Sequence, residues 1–344
     1  FAYKRKNKSK KIGLKRGREK MKIAIIVPYF GKMPNYFQLF LNSCASNKKF
    51  DWLIFSDDKA KYDYPENVHF IHMTFQECQE IVQTKFDFQI ELRRPQKICD
   101  YKCAYGLIFE QFLQDYDWWG HCDLDQIFGD LKAFITDDML RSYDKIGSLG
   151  HLTLYRNTLD NCKVFMSPLN GRSRYREVFE SQKGCAFDEW LPDNINEIYI
   201  NSGRPIMLEN KGADVNSYYT QFSLTTFDLK KRKYIQSDIR NSIFMLEKGK
   251  LFQVYAGKNG LEKTEYPYVH LQKRKMKDIR SDFNAKDYYI IPNCFVDKTN
   301  NPGKLLLKSK KWKVLNYQYF KVKVQSLRYR LKSGDWTFSS VFKM

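Results

Sequence analysis

Asp123 and Asp125 flank Leu124 in the stretch "WWGHCDLDQIFGD", immediately after two tryptophans and a glycine. Two carboxylates one residue apart can meet a single hard cation where the backbone turns at a strand end, one directly and the other through water. Mg2+ and Mn2+ favour carboxylate, carbonyl and water oxygens and usually retain substrate phosphates as ligands. Asp is also common in turns, so the competing reading is a loop carboxylate with a local cap near Ile127. The preceding "DYDWW" favours the metal, because an apolar strand would fix the pair at the edge of a sheet.

Other residues gather around this motif. His121 lies two before Asp123 and shares its face if the segment is extended; it either shapes a ligand pocket or packs with one hydrogen bond. "GHLTLYRN" puts His151 and Thr153 on one strand face with Arg156 beyond. That face is expected near a substrate, against the alternative of an ordinary polar pair at a strand edge. "GCAFDEWLPD" carries Asp188 and Glu189 beside apolar groups, and burial raises a carboxyl pKa.

The elements that must position these residues read as α/β. "MKIAIIVPYFG" is a buried strand over Ile23–Val27 ending in a turn. "YFQLFLNSCASN" has Phe37, Phe40, Leu41 and Cys44 at helical spacing. "FDWLIFSDD" and "NVHFIHM" are further strands, the first ending in Asp57 and Asp58. A helix is expected through "CDYKCAYGLIFEQF", with Asp100 as its cap and Cys103, Leu107 and Phe112 on one face. "DWWGHCDLD", "YDKIGSLGHLTLYRN" and "YPYVHLQKRKM" carry strand character. The Gly-, Pro- and Asn-rich middle, 161–211, reads as the variable acceptor side of a cleft. Strands alternating with helices at these lengths suggest a mostly parallel central sheet flanked by helices, with ligands beyond the carboxyl ends of the strands.

Composition bounds the partners. The chain has 344 residues, 43% hydrophobic and 16% aromatic, enough for a large core. Its formal net charge of +20 attracts anions: nucleic acid, lipid headgroups or phosphorylated substrates. Eight cysteines include no CxxC pair, so buried free thiols in a reducing compartment are expected, and five scattered histidines make no zinc module. No apolar run reaches the about 18 residues of a membrane span, which puts the chain in the cytosol or on the inner face of a membrane. The first 20 residues hold ten Lys or Arg and one acid; they read as upstream sequence, a membrane-seeking arm or a solvated tail. After Pro302 there are 11 Lys or Arg and one Asp, with Trp312, Tyr317, Tyr319 and Phe320 interleaved among Lys311, Lys313, Lys321 and Lys323. The division is a basic segment over 1–20, a main domain over 21–298 and a basic aromatic extension over 299–344. The extension reads as an anionic-membrane contact or a solvated hairpin.

"GHCDLDQIFGDL", "GHLTLYRN" and the opening "KIAIIVPYFGKMPNYFQLFLNS" together resemble bacterial polysaccharide-biosynthesis glycosyltransferases of the capsule or O-antigen type, which have the GT-A fold. The likeness runs over about 21–298 and leaves out both basic ends. It implies a divalent ion, Mn2+ or Mg2+, held by Asp123 and Asp125 and bridging the diphosphate of a UDP-sugar. It places Asp57 and Asp58 at the nucleoside and has Pro28, Tyr29 and Phe30 lining base and ribose. "VHLQKRK" matches the segment that supplies a histidine to the metal, making His270 the third ligand and Lys273 or Arg274 a diphosphate contact. Arg93, Arg94 and Lys97 fall in the region that approaches the donor, where Arg94 or Lys102 would meet the diphosphate or hold Asp123, and surface salt bridges are the plain alternative. An inverting transferase needs a carboxylate base, for which Asp188 stands first and Glu189 next. The implied acceptor is a saccharide on polyprenyl diphosphate, and galactose or galactofuranose is the expected hexose.

A metal-dependent nuclease or phosphotransferase would also explain acids and positive charge, but it requires further acids converging on the metal. No recognised nucleic-acid module supports nucleic acid as a partner. A non-catalytic carbohydrate- or RNA-binding protein is the third reading.

Overall fold

The computed structural model describes residues 21–217, 219–239 and 241–310, together with Phe320, Val324, Leu327 and Arg328. The basic segment over 1–20 and most of the aromatic extension, Trp312, Tyr317 and Tyr319 included, lie outside the described residues.

The apolar runs become strands. β1 (Ile23–Pro28), β2 (Phe50–Ser56), β3 (Val68–His72) and β4 (Trp118–Cys122) pair in parallel in the spatial order β3-β2-β1-β4. The chain then turns, and β5 (Gln126–Phe128) leaves for a second sheet. β6 (Lys145–Ile146) and β7 (Leu152–Arg156) extend the first sheet antiparallel, and β8 (Ile206–Met207) joins β6 in parallel. The central sheet is therefore mixed and largely parallel, in the order β3-β2-β1-β4-β7-β6-β8.

β1 is buried along its whole length, as a strand covered on both faces must be. Its side chains alternate between two cores. Ala24 and Ile26 pack with Leu53, Phe55, Trp119 and Tyr155 on one face. Ile23, Ile25 and Val27 pack with Trp52, Ile54 and Trp118 on the other, under the helix Phe37–Ala45, whose Phe37, Phe40, Leu41 and Cys44 supply the expected stripe. The helix Phe75–Gln83 covers the first face and begins at a capping box between Thr74 and Glu77.

The helix expected through "CDYKCAYGLIFEQF" takes a different form. A 3-10 helix runs over Pro95–Ala104, followed by one α-turn, Tyr105–Ile108, and a further 3-10 turn, Glu110–Phe112. Asp100 caps nothing. Its carboxylate accepts from Lys97 Nζ at 2.7 Å and from the Cys185 amide at 2.9 Å. The three-residue period turns Lys97, Asp100 and Cys103 to the same side, and all three are buried.

The second sheet contains β9 (Ala213–Val215), β10 (Leu224–Asp228), β11 (Lys233–Gln236) and β15 (Tyr268–His270), in the order β11-β10-β9-β15-β5. β12 (Ser242–Glu247), β13 (Lys250–Gly257), β14 (Gly260–Tyr266), β16 (Lys277–Asp278), β17 (Tyr288–Ile291) and β18 (Cys294–Asp297) form a third sheet that is mainly antiparallel. The start of the basic extension is a helix, Pro302–Lys310. All eight cysteines are free thiols, but not all are buried: Cys99 is exposed, and Cys185 and Cys294 are half-buried. Among the described residues no helix is long and apolar enough to cross a membrane.

Candidate metal centre

Strand order in the central sheet reverses between β1 and β4, and crevices of this kind open beyond the carboxyl ends of such strands. Asp123 follows directly on β4 and Tyr29 on β1, so both stand at that end of the sheet. Asp125 then enters the second sheet, where β15 pairs with β5 and with β9. The register sets His270 opposite Gln126 on one side and opposite Asp214 on the other. The Leu271 amide donates to the Asp125 carbonyl at 2.8 Å and locks the junction.

Three residues remote in sequence thereby converge. Donor atoms of Asp123, Asp125 and His270 all lie within 4.8 Å of one another. His270 Nε2 is 3.1 Å from Asp125 Oδ1 and 3.8 Å from Asp123 Oδ2. The Lys273 amide donates to Asp125 Oδ2 at 2.5 Å. It can do so because Gln272 and Lys273 both adopt positive φ, 52° and 57°, which curls the backbone toward the carboxylate. Burial would raise the pKa of Asp125, but His270 and the Lys273 amide outweigh it and hold the carboxyl well below its usual range.

A second set overlaps the first. Donor atoms of His151, Asp214 and His270 also fall within 4.8 Å of one another, and all three residues are buried. Asp214 Oδ1 accepts from His270 Nδ1 at 2.8 Å and from Gln272 Nε2 at 2.6 Å. The rings of His151 and His270 stack with centroids 4.8 Å apart. Burial drives the pKa of His151 down to about 4, so this imidazole is neutral.

Lys102 joins the cluster to the next loop. Its ammonium is 2.9 Å from Asp123 Oδ1, 3.1 Å from Asp188 Oδ2 and 2.9 Å from the Gly150 carbonyl. Lys102 therefore holds Asp123 in place. Burial alone would discharge it, but Asp123 and Asp188 keep its pKa well above the usual lysine value. Asp188 is buried against Gly150, where an added Cβ would come within 2.1 Å of its Oδ2. Glu189 accepts from the Gly150 amide at 3.0 Å and from the Tyr234 hydroxyl at 2.8 Å. Burial, then the Asp188 charge, push Glu189 up to about 7.

Several expected site residues have other work. Arg274 is 2% exposed and donates to the carbonyls of Thr220, Asn216 and Tyr219, with its guanidinium over the Phe222 ring. It is a clamp inside the fold, whereas its neighbour Lys273 has an exposed side chain. His121 is 1% exposed between the rings of Tyr105 and Tyr155, so it packs in the sheet instead of lining a pocket. Pro28 is buried in β1, and Phe30 is turned into the core against Phe75. Of that trio only Tyr29 stays half-buried. Asp57 Oδ1 accepts from the Gly31 amide and Asp58 Oδ2 from the Met33 amide, so both acids brace the loop after β1.

Arg94 donates to the Gln182 carbonyl, Arg93 pairs with Glu91, and Lys97 is buried on Asp100. Thr153 is satisfied by the Leu149 carbonyl, and Arg156 pairs with Asp144 over Trp118. Asp214 was missed by sequence reasoning. The available signal was an acid within the short apolar run "ADV", but only the β9–β15 register reveals its partner.

No curated protein matches the chain. Solved structures that are similar in part include two of one protein. One is the galactosyltransferase LgtC in complex with donor and acceptor sugar analogs, at 11% identity, 57% of this chain, 75% of that chain and a TM-score of 0.31. The other is an active-site mutant of LgtC, at 10% identity with the same coverage and TM-score. The family described as "Family of unknown function (DUF6625)" matches residues 25–299, most of the chain, and the chain belongs to that family.

Proposed function

We propose that this chain is a metal-dependent glycosyltransferase that moves a hexose from a nucleotide sugar to a saccharide acceptor. The observation that carries the reading is the convergence of Asp123, Asp125 and His270 beyond the end of β4, with the amide of exposed Lys273 bonded to Asp125. Two carboxylates and one imidazole in so compact a set suit a divalent ion of the Mn2+ or Mg2+ kind. Such an ion, when bound, would supply positive charge against a departing diphosphate.

The protein's own residues account for the remaining roles. Lys102 bridges Asp123 and Asp188 and fixes Asp123 with one oxygen left toward His270. Lys273 stands beside Asp125, with its ammonium available to a phosphate. The loop braced by Asp57 and Asp58 follows half-buried Tyr29, whose ring can flank a nucleobase. Glu189 titrates near neutrality and is suited to take the proton of an acceptor hydroxyl, better than Asp188, which is tied to Lys102. In its finer form the donor is a UDP-sugar, galactose or galactofuranose. The acceptor is a saccharide on polyprenyl diphosphate at the inner face of a bacterial membrane, and the basic aromatic extension meets anionic lipid.

One observation favours the nuclease or phosphotransferase reading: Asp214 is a further acid at the cluster. It engages His270 Nδ1 and Gln272, as a group that orients the histidine would. The two readings separate on substrate. A panel of UDP-, GDP- and dTDP-sugars, with and without Mn2+, is expected to yield free UDP with the metal only, while DNA and RNA stay intact. Asp125→Ala is expected to keep the fold and lose the release. Normal turnover by a folded Asp125→Ala protein would overturn the reading.

A further inference from the structure

His151 is 3% exposed, and its Nε2 has no hydrogen-bond partner among the described residues. Leaving a buried polar atom unpaired costs about 1–3 kcal/mol.

The surrounding network fixes what that nitrogen is. The Gly212 amide donates to Asn210 Oδ1 at 3.0 Å, which sets the orientation of the Asn210 side-chain amide. The Tyr268 hydroxyl, 3.1 Å from the same oxygen, must then be the donor to it. With its proton spent there, the hydroxyl oxygen accepts from His151 Nδ1 at 2.8 Å. The proton of His151 is on Nδ1, and Nε2 is a bare lone pair. Gly212 is part of the arrangement, because an added Cβ there would lie 2.0 Å from Tyr268 Cζ.

The lone pair belongs to a ring stacked on His270, and a nitrogen of that ring lies within 4.8 Å of donor atoms of Asp214 and His270. The backbone of His151 is tied to the carboxylate loop: its carbonyl accepts from the Asp123 amide at 3.2 Å and from Gln126 Nε2 at 2.5 Å. A histidine whose Nδ1–H is held by an oxygen while Nε2 stays free has the arrangement of a metal ligand.

We infer that His151 Nε2 is a second imidazole ligand for the ion taken by His270, so that the centre selects a later transition ion such as Co2+ or Zn2+ over Mg2+. Mg2+ is bound through oxygen and keeps its waters, whereas imidazole nitrogen favours the later ions. The inference rests on the metal centre of the proposed function and adds to it the class of ion.

Hyperfine spectroscopy of the full chain loaded with Mn2+ alone counts the coupled nitrogens. Two imidazole nitrogens are expected in the wild-type protein and one in His151→Gln. By calorimetry, His151→Gln is expected to weaken Co2+ binding about tenfold to a hundredfold while Mg2+ binding changes little. A single nitrogen in the wild-type chain would mean that His151 faces a water only and would overturn the inference with the metal centre intact. An unchanged Co2+ to Mg2+ preference in the variant would do the same. If neither ion binds the wild-type chain, the metal centre itself fails as well.

Discussion

Asp214 Oδ1 lies 2.8 Å from His270 Nδ1, and this contact turns the imidazole so that Nε2 faces Asp125 at 3.1 Å. Burial by itself would favour neutral His270, but Asp125 and then Asp214 overcome it and hold the pKa well above the usual histidine range. In the metal-free protein the imidazolium offsets charge on Asp125 and Asp214. A histidine that ligates a metal must be neutral, so metal and proton compete for one ring.

Metal binding should therefore release a proton from His270. The sign follows from the raised pKa: at neutral pH the ring is charged, and raising the pH removes the competitor and tightens Mn2+ binding. Asp214→Asn removes one of the charges that favour the imidazolium, so the dependence on pH should flatten. Orientation of the ring suffers too, and affinity at high pH should fall about tenfold to a hundredfold. Calorimetry in buffers of different ionisation enthalpy measures both effects. Equal proton release by the wild-type and Asp214→Asn proteins would refute the coupling.

The sequence carried what is local. The strand signal of β1 and β2, the stripe of Phe37–Ala45 and the Asp123–Asp125 pair are each contained in a dozen residues or fewer; the strands and the stripe are found in the structure as read, and the pair falls in a cluster capable of holding a metal ion. What escaped depends on register or on which face is covered. Asp214 meets His270 only because β9 lies parallel to β15. His121 does alternate with Trp119 and Asp123, but the sheet is still covered at His121 and opens only after Cys122. Arg274 was expected at the diphosphate, but burial alternates along "KRKMK", with Arg274 and Met276 inside and Lys273, Lys275 and Lys277 outside, and Met276 is the sign in the sequence that this segment has an inner face. The 3-10 helix at Pro95–Ala104 has a similar cause: contacts of Lys97 and Asp100 with Val178, Lys183 and Cys185 override local helix preference.

Arg274 is expected to act through stability. Its guanidinium satisfies three carbonyls from the segment 216–220 and lies 5.2 Å from the Phe222 ring centroid. Arg274→Ala would remove three buried charge-assisted hydrogen bonds and empty the space, at a cost of about 2–4 kcal/mol. Arg274→Lys should recover little, because an ammonium cannot reproduce the planar fork. Urea unfolding measures the loss. A variant as stable as the wild-type protein but with weakened nucleotide-sugar binding would return Arg274 to the diphosphate.

Glu189 gives the last expectation. Its carboxyl is raised to about 7 by burial and then by the Asp188 charge, while the Tyr234 hydroxyl opposes the rise. A base works deprotonated, so transfer to a saccharide acceptor should fall as pH drops through about 7 and level off above it. Glu189→Gln should lower transfer by about 10²–10⁴-fold while Mn2+ binding is retained. Two neighbours tell this group from His270. Asp188→Asn removes a negative charge beside Glu189 and should move the midpoint of the profile down. Tyr234→Phe removes a hydrogen bond to the carboxylate and should move it up. The rate profile of each folded variant decides the matter: if neither substitution displaces the midpoint, the titrating base is some other group, and Glu189 is left as a buried carboxyl that serves only to hold Gly150 and Tyr234.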